Sequence, residues 1–332
     1  MASADSPRWH ALAAALPALG GALFVWLLFA LLAGAPFVGS QGLAAYLNAA
    51  APIGILAVPV ALLMIAGEFD LSIGSIIGLC SMTQMLLVVE AGWPLGPALL
   101  ASAALAVGIG LTNGLIVVRT GLPSFLVTLA TLFMARGLTI AVTRLVTGRT
   151  QLGGLHQHED AGWADVLFGT DLIGNVQLSV VWWILLAGLG SWCLLRTRFG
   201  NWILASGGAS EAARNSGVPV ARVKVSLFVC TALAAALVAT LQVVRYDGAD
   251  ALRGELQEFR AIIAVVIGGT LLTGGYGSVL GSTLGALIFG MVQQGIVLTG
   301  ANADWFQVLL GALLLAAVLA NHTLHKRMQV RA

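Results

Sequence analysis

Residues able to do chemistry are scarce in this chain, and the most conspicuous are two carboxylates in "AGEFDLSIGS", residues 66–75. Glu68 and Asp70 stand two residues apart, in the seam between the apolar runs 53–66 and 73–89. Two readings fit them. Asp70 or Ser72 caps the helix that starts after the seam, where the positive end of the helix dipole favours an acid. Alternatively, Glu68 or Asp70 pairs with Arg136 or Arg119 in an inner gate. Arg136 lies within an apolar run, and such a group needs a partner or a wet cavity.

A polar stretch further on holds His156, His158, Glu159 and Asp160. Two histidines one residue apart lack a recognised ligand spacing, so the patch reads as solvated surface and no metal site is expected. Asn48, Gln84, Asn113, Thr128 and Thr131 are neutral polar groups within or near the ends of apolar runs. They could line a path for a neutral polyhydroxylated cargo, or serve ordinary hydrogen bonding between helices. No catalytic set emerges. H-E-x-x-H and G-x-S-x-G are absent, which disfavours a protease or esterase. The only lysines, Lys224 and Lys326, are not preceded by the glycines of a phosphate-binding loop. The chain is expected to be no enzyme and to bind no cofactor of its own.

The elements that position these groups follow from composition. Of 332 residues, 59% are hydrophobic and 9% charged, with a mean hydropathy of +0.96. A soluble domain carries roughly 25% charged residues, so most of this surface faces lipid. A net charge of +2 without a basic run gives no sign of nucleic acid. Cys80, Cys193 and Cys230 are far apart in apolar stretches and read as buried, reduced thiols.

A helix needs about 20 apolar residues to cross the hydrocarbon. That window gives ten spans, near 13–33, 43–66, 73–90, 96–118, 123–142, 179–195, 223–244, 260–273, 278–299 and 305–320. If 73–90 is re-entrant, eight or nine remain. The first run exceeds a secretion-signal core and reads as an uncleaved helix. Arg119, Arg196, Arg198, Arg214, Arg222, Lys224 and the 326–331 cluster fall on one side, which the positive-inside rule makes cytoplasmic, with both termini inside. The expected organisation is a cytoplasmic tail (1–12), one all-α polytopic transmembrane domain (13–320) and a basic cytoplasmic tail (321–332). Two loops are long, an outer one (143–178) and an inner one (196–222).

The inner loop, "SGGASEAARNSGVPVARVK" (206–224), carries its own helix punctuation. Ser210 can cap a short helix, and Glu211 sits in its first turn. Ala212 and Ala213 favour helix, Gly217 suits the position after its end, and Pro219 forbids continuation. A helix this short is unstable alone. It either lies on its own bundle or fits a groove on a cytoplasmic partner, with Glu211 and Arg214 fixing orientation.

"SEAARNSGV" resembles the coupling loop of ABC-importer permeases, with Glu211-Ala212-Ala213 and Gly217 matching its core. More specifically, the chain resembles the ribose-type monosaccharide permeases. "GEFDLSIGS" (67–75), "NGLIVVRTGLPSFLVTLATLFMARGL" (113–138), the loop itself and "GELQEFRAIIAVVIGGTLLTGGYGSVLGSTLGALIFGMVQQG" (254–295) carry that resemblance. Glu68 and Phe69 depart from the family's Gly and Ile. The resemblance implies a type II ABC-importer permease fold in a bacterial inner membrane, moving a monosaccharide or polyol. It also implies a cytoplasmic ATPase subunit that carries ATP and Mg, a periplasmic sugar-binding protein, and a second permease subunit, identical or paralogous. Branched-chain amino-acid or nucleoside permeases are near alternatives. An ion-coupled secondary transporter is disfavoured because Glu68 and Asp70 are placed at a span end with no acid mid-span.

Glycine spacing completes the picture. Gly277, Gly281 and Gly285 repeat every four residues, as do Gly74 and Gly78. Such faces let helices approach closely, and flexible gating is the second reading. The glycine-rich 268–277 reads as a tight inner turn.

Overall fold

We describe the protein from a computed structural model covering residues 7–158, 162–302 and 304–331, with backbone alone for 7–14 and 320–331. Glu159, Asp160 and the side chains of both tails lie outside the described residues. The chain is helical almost throughout. α1 (Pro7–Ala33), α2 (Ala35–Val38) and α3 (Ser40–Ile65) lead to α4 (Ile73–Met85), which continues as a π-turn over Leu86–Glu90. α5 (Leu95–Thr120) and α6 (Ser124–Thr147) follow. The outer connection holds β1 (Gln151–Gly153) and α7 (Gly162–Ala164) before α8 (Leu178–Arg196). α9 (Arg198–Gly208) and α10 (Ser210–Asn215) form the inner connection. Then come α11 (Val220–Arg245), β2 (Gly248–Asp250), α12 (Gln257–Ile267), α13 (Val279–Leu298) and α14 (Trp305–Arg331).

Among the described residues, eight helices are long and apolar enough to cross a membrane, and the apolar part of α14, Trp305–Leu319, is shorter. α3 is 83% buried over its most apolar window and α6 only 28%. α3 is therefore the central post, with α11 beside it, while α1, α5, α6 and α8 turn apolar faces outward to lipid. Cys80 is buried, whereas Cys193 is half-buried and Cys230 exposed, so the expectation of three buried thiols holds for one.

The expected span over 260–273 is not a continuous helix. α12 has 11 residues, about 16 Å at 1.5 Å per residue, and cannot cross alone. It stops at Gly268, and the chain turns through Gly269, Gly274 and Gly275 at φ of 89°, 80° and 77°. The segment before α4 is broken in the same way. After Gly67 (φ 84°) the chain runs non-helically to Ser72, climbing beside α11 rather than ending at the bundle's inner edge.

These two breaks are related. A long helix, a non-helical stretch, a helix that starts inside the bundle and another long helix occur as α3, 67–72, α4, α5 and again as α11, 246–256, α12, α13, in opposite directions, although α12 is the shorter of the two inner starts. α3 packs on α13 and α11 on α5, while α4 packs on α11 and α12 on α3. Gly67-Glu68-Phe69-Asp70 and Gly254-Glu255-Leu256-Gln257-Glu258 have similar openings, and both glycines take positive φ (84° and 88°). Inverted repeats with discontinuous helices are a transporter architecture.

The glycine ladders lie where the short helices seat. A Cβ on Gly74 would overlap the Glu258 carboxylate and the Gly254 carbonyl, and one on Gly78 would lie 2.8 Å from the Arg253 carbonyl oxygen. Gly281 and Gly285 similarly accept the carbonyl oxygens of Gly268 and Ala264, and Gly277 faces Ile65 and Thr270. Gly285→Leu should therefore wedge α12 off α13 and cost roughly 1–3 kcal/mol. Gly137, with nothing within 4 Å of an added Cβ, should accept alanine silently. Thermal midpoints in detergent, read by fluorescence-detected size exclusion, compare the two; equal midpoints would show that α12 is not seated there.

Candidate functional site

Three places hold polar or conformationally special groups, stacked from the inner to the outer end of the bundle. At the inner end, three backbones touch. The Gly275 N–H donates to the Ile65 carbonyl at 2.8 Å. A Cβ on Gly207 would overlap that same carbonyl, and one on Gly274 would sit 2.8 Å from the Gly67 Cα. The end of α3, the end of α9 and the turn between α12 and α13 thus meet without intervening side chains. α10 continues directly from this junction. Its N-cap position is Ala209, not Ser210, whose hydroxyl instead donates to the Ser206 carbonyl at 2.6 Å. Its C-terminus closes as foreseen around Gly217 (φ 85°): the Gly217 N–H donates to Arg214 and the Val218 N–H to Ala213, both at 3.0 Å. Ala213 is buried against the bundle, while Glu211, Ala212 and Arg214 face solvent.

Glu68 pairs with Lys224, the fifth residue of α11, rather than with Arg136 or Arg119. The pair is largely buried and borders a cavity of about 200 Å³ shared with Ser210 and Arg214. Sequence reading missed Lys224, although its rarity marks it: no other lysine lies between residues 1 and 325.

Half-way up, the non-helical seam is buried. The Asp70 carboxylate accepts the Ser72 N–H at 2.9 Å, the Ser72 hydroxyl, and the Thr231 hydroxyl at 2.6 Å. Thr231 is the twelfth of 26 residues in α11, about 17 Å from its inner end. Ser72 occupies the N-cap position of α4 without a side-chain cap bond; the oxygen accepting from the seam is Asp70's. The expectation that no acid lies mid-span is therefore corrected, because the non-helical stretch after Gly67 brings Asp70 alongside Thr231 of α11. Glu258, at the start of α12, is 1% exposed and also at mid-depth. Its partner is Arg136, the thirteenth of 24 residues in α6, at 4.0 Å; Glu255 approaches the same guanidinium at 3.6 Å. Arg136 thus finds acids from the second repeat, which the sequence reading did not name.

The other expected path residues tie helices together. Gln84 donates to Ser102 and Thr240, both at 2.9 Å. Asn113 donates to Ser72 at 3.0 Å and accepts from Thr131 at 2.6 Å, and Thr128 accepts the Leu71 N–H at 3.0 Å. Asn113 and Thr131 border a groove of about 500 Å³ between α4, α5 and α6, but its walls are apolar.

At the outer end, a cavity of about 280 Å³ lies between α3, α8, α11 and α13. Asn48 borders it, spending its side chain on the Asn175 carbonyl and the Gln177 N–H at 2.9 and 2.8 Å. Gln177, Gln242, Gln293 and Gln294 also line it; the pair in "MVQQG", one turn and a half from the end of an apolar helix, was the signal to notice. The outer connection roofs this cavity. It is held by the β1–β2 pairing, by Arg245–Asp171 at 2.9 Å, and by His156, whose ring bonds Asp247 at 2.8 Å and Asp165 at 2.9 Å.

Two outcomes follow. Arg136→Met leaves the buried Glu258 without its cation and should destabilise by roughly 3–5 kcal/mol; adding Glu258→Gln should recover most of the lost thermal midpoint, and no recovery would mean the two do not interact. For His156, the Asp165 carboxylate, assisted by Asp247, holds the imidazole pKa above its ordinary value against partial burial. A raised folded pKa stabilises below the unfolded value, about 6.5, and that contribution is lost as pH rises through the folded one. Hydrogen exchange in 150–157 and 246–250 should accelerate, beyond the intrinsic chemical rate, on raising pH from 6 to 8. His156→Ala should remove this pH dependence; if the excess persists in the variant, the latch is elsewhere.

Comparison with known proteins fits this architecture. The family described as "Branched-chain amino acid transport system / permease component" matches residues 42–318. The xylose transport system permease protein XylH of Escherichia coli (strain K12) is 29% identical over 343 residues, spanning 88% of this chain and 87% of the relative. The autoinducer 2 import system permease protein LsrD of Yersinia pseudotuberculosis serotype O:1b (strain IP 31758) is 32% identical over 280 residues, spanning 83% and 82%. The ribose import permease protein RbsC of Escherichia coli (strain K12) is 33% identical over 274 residues, spanning 81% of each. No solved structure matches. A family match across both inverted repeats and the inner connection leaves one assignment: this multi-pass helical membrane protein belongs to the branched-chain amino acid transport system permease component family.

Proposed function

We propose that this chain is the membrane-spanning subunit of an ATP-driven importer for a monosaccharide or related polyol, working by alternating access in a bacterial inner membrane. The observation that carries the reading is α10: a capped helix with Glu211, Ala212 and Arg214 exposed, rooted in the backbone junction of Ile65, Gly207 and Gly275. Relatives that import xylose, ribose and autoinducer 2 support the substrate class. The family's description keeps branched-chain amino acids as the second reading.

On this reading the chain itself does no hydrolysis. A separate cytoplasmic ATPase subunit holds ATP and Mg and grips α10. A periplasmic sugar-binding protein delivers cargo to the outer face, and a second permease subunit, identical or paralogous, completes the transporter. Closure of the ATPases pushes α10, and the glycine junction passes that displacement to α3 and to the α12–α13 turn together. Because Asp70 and Glu258 lie at mid-depth, a proton- or sodium-coupled mechanism must be tested directly rather than dismissed from residue placement.

Glu211→Lys should lower co-purification of the ATPase subunit and sugar uptake at least about tenfold while the permease alone keeps its thermal midpoint; Gly217→Trp, strained at a positive φ, should lower both as well and loosen α10. Unimpaired assembly and uptake would refute α10 as the docking element. Uptake into vesicles with ATP inside and ion gradients collapsed separates the drives; transport that stops when the gradients collapse would overturn the ATP-driven reading.

A further inference from the structure

We infer that the outer cavity is a polyol-receiving site within the permease itself, with Gln242, Gln293 and Gln294 as its specificity-determining groups. This deepens the import reading and rests on it. Among the described residues, these three side chains have no hydrogen-bond partner, although all three line a cavity sunk into the outer third of a membrane bundle. A primary amide offers two donors and one acceptor, and these three, each partly exposed to the cavity, leave those groups free for a ligand. Gln242 lies three residues before the end of α11, and Gln293 and Gln294 lie on the last two turns of α13. The amides therefore converge from two helices of the second repeat on one space. Neutral donors and acceptors arranged this way match a molecule that presents a hydroxyl on nearly every carbon.

The charge of the wall narrows the ligand further. Among the described residues, Arg245 is the only ionisable side chain of the wall besides the Tyr246 phenol, and Asp171 holds it at 2.9 Å. Among the described residues no carboxylate lines the space, so an ammonium group there would meet only neutral acceptors. Phe168 and Tyr246 supply ring surface at the rim, suited to the C–H face of a sugar. The cavity's volume, about 280 Å³, is at the small end of ligand pockets, roughly 300–1,000 Å³, which fits a single ring rather than an oligosaccharide. The Asn48 side chain donates to the Asn175 carbonyl and accepts the Gln177 N–H, which ties the outer connection over the cavity.

The test uses the complete transporter in proteoliposomes, with its ATPase and binding protein, and a panel of D-ribose, D-xylose, D-galactose, myo-inositol and L-leucine. The readout is cargo imported per ATP hydrolysed, which a change in folding or docking alone would not move. Q293A/Q294A should keep binding-protein-stimulated ATP hydrolysis within about twofold while cargo per ATP falls about tenfold, equivalent to ~1.4 kcal/mol. If the double variant does not assemble, Q242A, on the other helix, carries the same test. An unchanged ratio in the assembled variant overturns the site and leaves the import reading standing. A wild-type complex that imports L-leucine, or none of the polyols, overturns the import reading and the site with it.

Discussion

Backbone that is not helical has no place in a bilayer unless protein satisfies it, and that constraint organises this bundle. The seam 67–72 runs non-helically inside the bundle, with Glu68, Asp70 and Ser72 buried. Its N–H groups are taken up one by one: Phe69 by the Ser124 hydroxyl at 3.0 Å, Leu71 by Thr128 at 3.0 Å, and Ser72 by Asp70 at 2.9 Å. α6 must therefore begin where it does, because its first two turns are the rack that holds the seam. Asn113 and Thr131 extend the rack by fixing the Ser72 hydroxyl. Asn113, Thr128 and Thr131, candidates for a substrate path in sequence, act as the internal solvent of a broken helix.

The same break creates an electrostatic requirement. α4 and α12 both start at mid-depth, and Glu258 on α12 packs against Gly74 in the first turn of α4. Two helix N-termini meeting in low dielectric bring two positive dipole ends together. Asp70 at one start and Glu258 at the other supply the negative charge, and Arg136 from α6 limits the excess. Because each acid is placed by the opposite half's packing as well as its own, neither short helix can leave alone. Gly74 and Gly78 on one side, Gly281 and Gly285 on the other, keep the approach close enough for this to hold.

How much of this was legible depends on which physical signal each feature leaves. Long apolar runs announced the eight long helices within a few residues, and Gly217 with Pro219 announced the end of α10, since these depend on local transfer energy and local dihedral preference. The breaks were less legible. α12 reads as apolar through Ile262–Ile267 and is continuous in hydropathy with 270–273; only the doubled glycines at 268–269 and 274–275 betray it. Partners of charges were not legible at all. Glu68 is 156 residues from Lys224, and Arg136 meets acids more than a hundred residues away, pairings set by the inversion of the second repeat. The recurring Gly-Glu-apolar opening at 67 and 254 was the one sequence clue to that inversion. Gln242, Gln293 and Gln294 passed unnoticed because a glutamine near a span end is ordinary until three of them face one cavity.

The vertical order of these parts constrains any mechanism. The glutamine-lined cavity lies above the meeting point of α4 and α12, and the glycine junction with α10 lies below it. On the proposed import reading, cargo leaving the cavity inward passes beside that meeting point, where Asp70 accepts from two hydroxyls and Glu258 lies 4.0 Å from the Arg136 guanidinium. On that reading, a push on α10 would reach the meeting point from beneath along two routes: through Gly67 into the seam, and through Gly274 and Gly275 into α12. Both routes end on helix starts rather than on side chains lining a pore. On that reading the elements best placed to switch access are α4 and α12, joined where Glu258 packs against Gly74.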